Sequence, residues 1–128
     1  MPATFADGML ERAYRSLDKA ASAKTPSAIY VAAYQAAGEA TVAIVSARIS
    51  DGQRQKMKRP NTLWDALGAA DPDPADWARY FSSKAHRKHA AELGVPNAVY
   101  RDQAEDLLRD VHQFLVTAEG IVQQKEAS

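Results

Sequence analysis

The sequence predicts an all-α fold, an antiparallel up-and-down bundle of four long helices and one short helix. Three observations predict it. Apolar residues recur at intervals of three and four over long segments, no segment alternates apolar and polar residues as a half-buried strand does, and capping and proline signals separate the segments. Because 128 residues are a common size for one domain, we expect a single helical domain over residues 1–128.

The first two helices are predicted over residues 4–23 and 27–49. Thr4 can cap the first helix, and Thr25 followed by Pro26 is typical of an N-cap and a first helical residue. The second helix is alanine-rich and apolar nearly all round, so we expect it at the centre of the bundle. The apolar stripe of the first helix consists of Phe5, Met9, Leu10, Ala13, Leu17 and Ala20.

A basic connector and a short helix are predicted next. Asp51 and Gly52 end the second helix, and residues 53–59 (QRQKMKR) carry four cations in seven residues. Asn61 or Thr62 can cap the short helix. Its anchors are predicted to be Leu63, Trp64 and Leu67.

The fourth helix is predicted over residues 74–93. Asp73 followed by Pro74 indicates its start, and Gly94 followed by Pro96 indicates its end. Helical spacing predicts a buried stripe through Ala78, Phe81, Ala85 and His89, with Arg79 and His86 at its edge. Lys84, Arg87 and Lys88 fall outside that stripe and are expected to point toward solvent.

The last helix has the most regular apolar spacing in the chain. Acidic residues are concentrated at its start, where the helix dipole favours negative charge. Its end, from about residue 123, is expected to fray. The apolar positions are Ala104, Leu107, Leu108, Val111, Phe114, Leu115, Ala118, Ile121 and Val122.

Composition excludes several classes of function. The chain has no cysteine, which excludes disulfides, thiolate zinc sites and cysteine nucleophiles. It has no unbroken run of 18 apolar residues and no secretory signal, so we expect a cytoplasmic protein that does not span a membrane. Sixteen basic and sixteen acidic residues cancel, which argues against a general nucleic-acid binder but leaves room for a local basic surface.

Two stretches resemble a known family. Residues 63–94 (LWDALGAADPDPADWARYFSSKAHRKHAAELG) and residues 104–115 (AEDLLRDVHQFL) resemble the small actinobacterial HEPN-like helical bundles, where HEPN stands for higher eukaryotes and prokaryotes nucleotide-binding. The resemblance covers most of the chain and is best from Thr62 to Leu115. It implies an all-α bundle of four to five helices, commonly paired into dimers, but it implies no single activity.

The ribonucleases of the HEPN class carry an arginine, four to six residues and then a histidine. Arg79 and His86 are separated by six residues and satisfy this spacing at its long limit. The arginine would hold a phosphate and the histidine would transfer a proton, in a site that needs two copies of the chain. Members of the subfamily, however, usually carry alanine at the position of Arg79 and arginine at that of His86.

Other constellations favour structural roles. His86 and His89 could chelate a metal from one helical turn, but the sequence offers no obvious further ligands, so we predict no metal site and no cofactor. Asp71, Asp73 and Asp76 are better explained as helix-capping residues than as a cation loop. The two tryptophans could stack bases, but lie inside apolar stripes and are interpreted as core anchors.

Two hypotheses follow. The first is a non-enzymatic HEPN-like bundle that acts by self-association, as a homodimer, and by binding an RNA, nucleotide or protein partner. The second is a metal-independent, toxin-like endoribonuclease that uses Arg79 and His86 across a dimer. In the first, the candidate phosphate-binding or RNA-binding residues are Lys84, Arg87, Lys88, Arg54, Lys58 and Arg59.

Overall fold

The computed structural model describes residues 4–49, 63–70 and 75–127, and the regular elements within these ranges are all α-helices. The prediction of an all-α chain is confirmed for them. The helices are α1 (Phe5–Ser22), α2 (Pro26–Ile49), α3 (Leu63–Ala70), α4 (Ala75–Glu92) and α5 (Arg101–Ala127).

The first two helices begin where their caps predict. The backbone N–H of Asp7 donates to Thr4 Oγ1 at 3.0 Å, and the backbone N–H of Thr4 donates to Asp7 Oδ2 at 3.1 Å. This reciprocal pair is a capping box that satisfies two donors at the start of α1. At the start of α2, the backbone N–H of Ala28 donates to Thr25 Oγ1 at 3.1 Å.

The end of α4 is also confirmed. Gly94 adopts a positive φ of 75°, a conformation that glycine adopts without a steric penalty. Its backbone N–H donates to the carbonyl oxygen of Ala91 at 3.2 Å, and that of Val95 donates to Ala90 at 3.1 Å. These two bonds form a Schellman motif, which satisfies carbonyl groups of the last helical turn.

Four predicted features lie outside the described residues. They are the helix end at Asp51 and Gly52, the connector 53–59, the cap at Asn61 or Thr62, and the helix start at Asp73 and Pro74. α5 continues to Ala127, past the position at which fraying is predicted.

α2 lies at the centre, as predicted, and contacts all four other helices. Most of its alanines are buried, with Ala33, Ala36, Ala37, Ala40 and Ala43 each 0% exposed. Small side chains allow neighbouring backbones to approach closely, so this surface packs without large groups between the helices.

The predicted core is largely correct in α2 and α5 and needs corrections elsewhere. Leu63, a predicted anchor of α3, is 36% exposed, and Met9 of the α1 stripe is half-buried. Phe5 is 67% exposed, and Ala6 is buried in its place at the start of α1. In α5 the predicted apolar positions are buried, except that Leu108 is half-buried at the edge of its stripe.

One described helix has the length and composition of a membrane span. The segment Pro26–Arg48 of α2 is long and apolar enough to cross a membrane by length and composition. Its most apolar window is, however, 61% buried inside the bundle. This burial is typical of the core helix of a compact bundle.

Candidate functional site

α4 carries all of the candidate site residues that lie within the described ranges. Phe81, which is 0% exposed, lies at the centre of its buried face. Trp77 and Lys84, both half-buried, belong to the same face. The predicted stripe is correct at Ala78, Phe81 and Ala85, which is half-buried against the core, but wrong at His89, which is exposed. The physical reason is size, since two aromatic rings and the stem of a lysine bury more apolar area than histidine does.

Contacts between aromatic rings hold α4 against the bundle. The Phe81 ring lies 5.1 Å from Trp64 of α3, 5.7 Å from Trp77 and 4.9 Å from Phe114 of α5, measured between centroids. Trp64 is 9% exposed and Trp77 is half-buried. The interpretation of the tryptophans as core anchors is confirmed for Trp64 and fits the packing of Trp77.

Tyr34 joins three helices through its hydroxyl group. Trp64 Nε1 donates to this hydroxyl at 2.7 Å, and the hydroxyl donates to the carbonyl oxygen of Phe81 at 3.3 Å. Burial raises the pKa of Tyr34, because the phenolate would be poorly solvated. The hydroxyl therefore links α2, α3 and α4 as a neutral group.

Lys84 and Lys88 do not point freely toward solvent, and that expectation is wrong. Both are half-buried, with the Lys84 ammonium 4.9 Å from the centroid of the Tyr80 ring and the Lys88 ammonium 5.6 Å from that of Tyr34. Their aliphatic stems cover apolar surface while the ammonium groups lie over rings. Lys88 also pairs with Glu92 at 3.0 Å.

Arg87 is half-buried as well, beside a buried tyrosine of α2. Tyr30 is 1% exposed, and its hydroxyl has no hydrogen-bond partner. Burial raises the pKa of Tyr30, and the positive charge of Arg87 opposes that rise. The guanidinium therefore lies close to the hydroxyl oxygen, while the O–H of Tyr30 has no acceptor among the described residues.

Tyr80 connects α4 to α5. Its hydroxyl donates to Asp110 Oδ2 in a short hydrogen bond. Burial, this hydrogen bond and the negative charge of Asp110 all raise the pKa of Tyr80. Arg109 lies 3.3 Å from Asp106 and 3.6 Å from Asp110, so both carboxylates already have a cationic neighbour.

The two predicted catalytic residues lie on the opposite, exposed face of α4. Arg79 is 81% exposed and its guanidinium pairs with Asp76 on the same helix. His86 is exposed. Being seven residues apart, they lie about 10 Å from each other along one side of the helix. No described contact brings them together within the chain.

The remaining candidate residues are placed as follows. Arg54, Lys58 and Arg59 lie outside the described ranges. Among the described residues, no cluster of three or more histidine, aspartate or glutamate side chains is arranged to hold a metal ion.

A groove of about 390 Å³ runs over the outward side of α2. Its floor and walls are largely apolar, and Lys88 and Glu92 lie on its rim. A Cβ added to Gly38 would meet Leu63 Cδ2 of α3 at 3.6 Å, an ordinary contact. The described α2 residues that line the groove are Val31, Tyr34, Gln35, Gly38, Glu39 and Val42.

Three tyrosines, Tyr30, Tyr34 and Tyr80, were not among the predicted site residues. One signal could have found the first two. Tyr30 and Tyr34 are spaced i, i+4 within a helix whose other buried residues are mostly alanine, so they share one face and are its largest side chains there.

The SAV_6107-like HEPN family model matches residues 20–119 of the chain. The match runs from the last turn of α1 through most of α5 and includes every residue of the α4 site described above. The chain belongs to this HEPN family. The resemblance to HEPN-like bundles is thereby confirmed, and membership in the family establishes a kind of domain but no reaction. No curated protein and no solved structure matches the chain significantly.

Proposed function

We propose that this HEPN protein acts by binding, without catalysis, and that its ligand is RNA. The proposal rests on the basic strip, defined as Lys84, Arg87 and Lys88. All three are half-buried, and the two lysines lie over tyrosine rings. Among the described residues, neither Lys84 nor Arg87 pairs with a carboxylate. Cations already held in place lose less side-chain entropy when they bind phosphate.

The arrangement of Arg79 and His86 supports catalysis less well. A general base or acid works when a neighbouring group orients it, and no described hydrogen bond orients His86. The Arg79 guanidinium is occupied by Asp76. A ribonuclease site would need a second chain to bring another copy of these residues near them.

Binding of fluorescently labelled single-stranded RNA, followed by anisotropy, tests the proposal. Affinity should fall steeply as salt rises from about 50 to 200 mM, by about one power of salt per phosphate contact. The double variant Lys84→Glu, Lys88→Glu should abolish binding. Its matched control, Lys19→Glu, Lys24→Glu, makes the same charge change at exposed positions of α1 and of the turn after it, and should still bind RNA. Equal binding by both variants would refute the proposal.

Ribonuclease activity is the second candidate, favoured by one observation. Arg79 and His86 share an exposed face, which a second chain could approach. Incubation of labelled RNA with the protein and EDTA separates the two candidates. Cleavage that the variant Arg79→Ala, His86→Ala lacks would establish the enzyme, and intact RNA that remains bound would support the binding protein.

Self-association is part of the proposal, with a second copy of the chain over the α2 groove. Residues 31, 35, 38, 42 and 45 recur at intervals of four and three, the spacing of a seam between two helices. Val31, Gly38, Val42 and Val45 are all half-buried, so they remain partly open to a partner.

Light scattering tests this association. A homodimer is expected at high micromolar concentration. Val42→Lys should give monomers, whereas Val116→Lys, at a position 54% exposed on α5, should leave the dimer intact. A wild-type monomer would remove both the dimer and the composite ribonuclease site.

We also propose that the four long helices run antiparallel. Arg101 Nη2 at the start of α5 donates to the carbonyl oxygen of Lys24, just after α1, at 3.5 Å. Tyr14 in α1 donates to Glu119 Oε2, late in α5, at 2.9 Å. These contacts support opposite directions for α1 and α5. A cytoplasmic location without membrane contact completes the proposal.

A further inference from the structure

The buried hydroxyl of Tyr30 is the one polar side-chain atom in the described part of the chain that is buried without a hydrogen-bond partner. Burial of an unpaired hydroxyl costs about 1–3 kcal/mol by mutational measures, and phenylalanine would fill the same space without this cost. A group of this kind in a natural core needs an explanation.

The neighbouring cations lack carboxylate partners within the described part of the chain. Arg87 is half-buried beside Tyr30, and Lys84 lies one turn earlier on the same side of α4. Neither forms an ion pair with a described carboxylate. The acidic groups of α5 that lie near Tyr80 are already engaged, since Asp106 pairs with Arg109 and Asp110 accepts from Tyr80.

The geometry points to a phosphate-binding site formed by Arg87, Tyr30 and Lys84. This inference rests on the proposed RNA binding by the basic strip, and it adds the Tyr30 hydroxyl to that strip. The guanidinium offers parallel N–H donors to two phosphate oxygens, the phenol offers one further donor, and the ammonium adds positive charge. Arg87 lies close to the hydroxyl in the free chain. Rotation of this one long side chain would open the site.

The ligand is a phosphoryl group, carried either by an RNA backbone or by a free mononucleotide. Isothermal titration calorimetry should therefore use three probes, which are inorganic phosphate, adenosine monophosphate and single-stranded RNA, in chloride buffer of constant ionic strength. Affinity for every probe that binds should fall about tenfold in Tyr30→Phe, because a hydrogen bond to a charged group is lost. Arg87→Lys should lower it further, because lysine cannot form the paired contact.

Matched controls keep the test specific. Tyr100→Phe and Arg15→Lys change the same residue types at exposed positions and should bind like the wild type. Without phosphate, Tyr30→Phe should melt at the same temperature as the wild type or higher, because it removes an unpaired buried hydroxyl. A lower melting temperature would mean that the hydroxyl has a partner in the fold, and would overturn the inference.

The outcomes separate this inference from the proposed function. If Tyr30→Phe binds every probe as well as the wild type while Lys84→Glu, Lys88→Glu loses RNA, the phosphate site is wrong and the basic strip stands. If inorganic phosphate or the mononucleotide binds in a Tyr30-dependent way while RNA does not bind, the phosphate site stands and RNA binding is wrong. If none of the three probes binds, both are wrong.

Discussion

The contact of α2 with α1 and its contact with α4 are filled by different side chains. Toward α1, small residues such as Ala13 and Ala36, each 0% exposed, leave little side chain between the helices. Toward α4, the space is filled by the rings of Tyr34, Trp64 and Phe81, which lie 5.1–5.4 Å apart where they are neighbours. One helix therefore packs closely on one side and across aromatic groups on the other.

This difference predicts opposite sensitivities. A closely packed alanine surface has no room for additional volume, so enlarging a residue should destabilise it. An aromatic contact depends on a few large side chains, so removing one should leave a cavity. The candidate site lies on the aromatic side, where the Tyr30 hydroxyl and the Arg87 guanidinium lie close to each other.

The largest effect is expected for Phe81→Ala. Phe81 is 0% exposed and contacts rings of α3, α4 and α5, so its removal should cost about 3–5 kcal/mol of unfolding free energy. Denaturant unfolding measures the loss. The control Phe5→Ala, at a position 67% exposed, should change stability by less than about 0.5 kcal/mol. Similar losses for both variants would contradict the aromatic packing.

An intermediate effect is expected from added volume on the alanine side. Ala36→Leu should destabilise the protein by about 1–3 kcal/mol, because leucine adds three heavy atoms to a closely packed surface where Ala36 is 0% exposed. Ala28→Leu lies on the same helix at an exposed position and serves as the control. A thermal melt in which Ala36→Leu is as stable as the control would show that α1 and α2 are not closely packed at this point.

A smaller effect is expected for Tyr80→Phe, which removes the hydrogen bond to Asp110 but keeps the ring under Lys84. The Asp110 side chain is 24% exposed and can regain water, so the loss should be about 1 kcal/mol. RNA affinity should remain unchanged, because the ring that holds Lys84 is retained. A large loss of affinity would mean that the hydroxyl itself contributes to binding.

Local signals explain which parts of the fold were predictable from sequence. Thr4, Thr25 and Gly94 determine helix ends through bonds within a few residues, so their effect can be derived from the sequence alone. The apolar stripe of α5 was predictable because its spacing is regular. The buried face of α4 was not, since Lys84 and Lys88 count as polar in a pattern although most of each side chain is hydrocarbon.

The candidate site was predictable only in part for the same reason. The cations of α4 stand out in the sequence as a basic run, but their orientation depends on rings contributed by another helix. Tyr30 became a candidate only when burial and hydrogen bonding were known, because an unpaired hydroxyl has no signature in a linear pattern. The distinction between the held cations and the exposed Arg79 likewise required tertiary contacts.

The smallest expected effect is a pH dependence of stability that arises from Tyr14. On the alanine side, burial and the hydrogen bond to Glu119 raise the pKa of Tyr14 from about 10 to about 12. A pKa that is higher in the folded state adds stability that is complete below pH 10 and is lost as pH rises toward 12. Tyr14→Phe should therefore lose less stability than the wild type between about pH 10 and 12 in urea titrations. The control Tyr100→Phe changes an exposed tyrosine and should follow the wild type. If Tyr14→Phe lost stability as steeply as the wild type, Tyr14 would not form the hydrogen bond to α5.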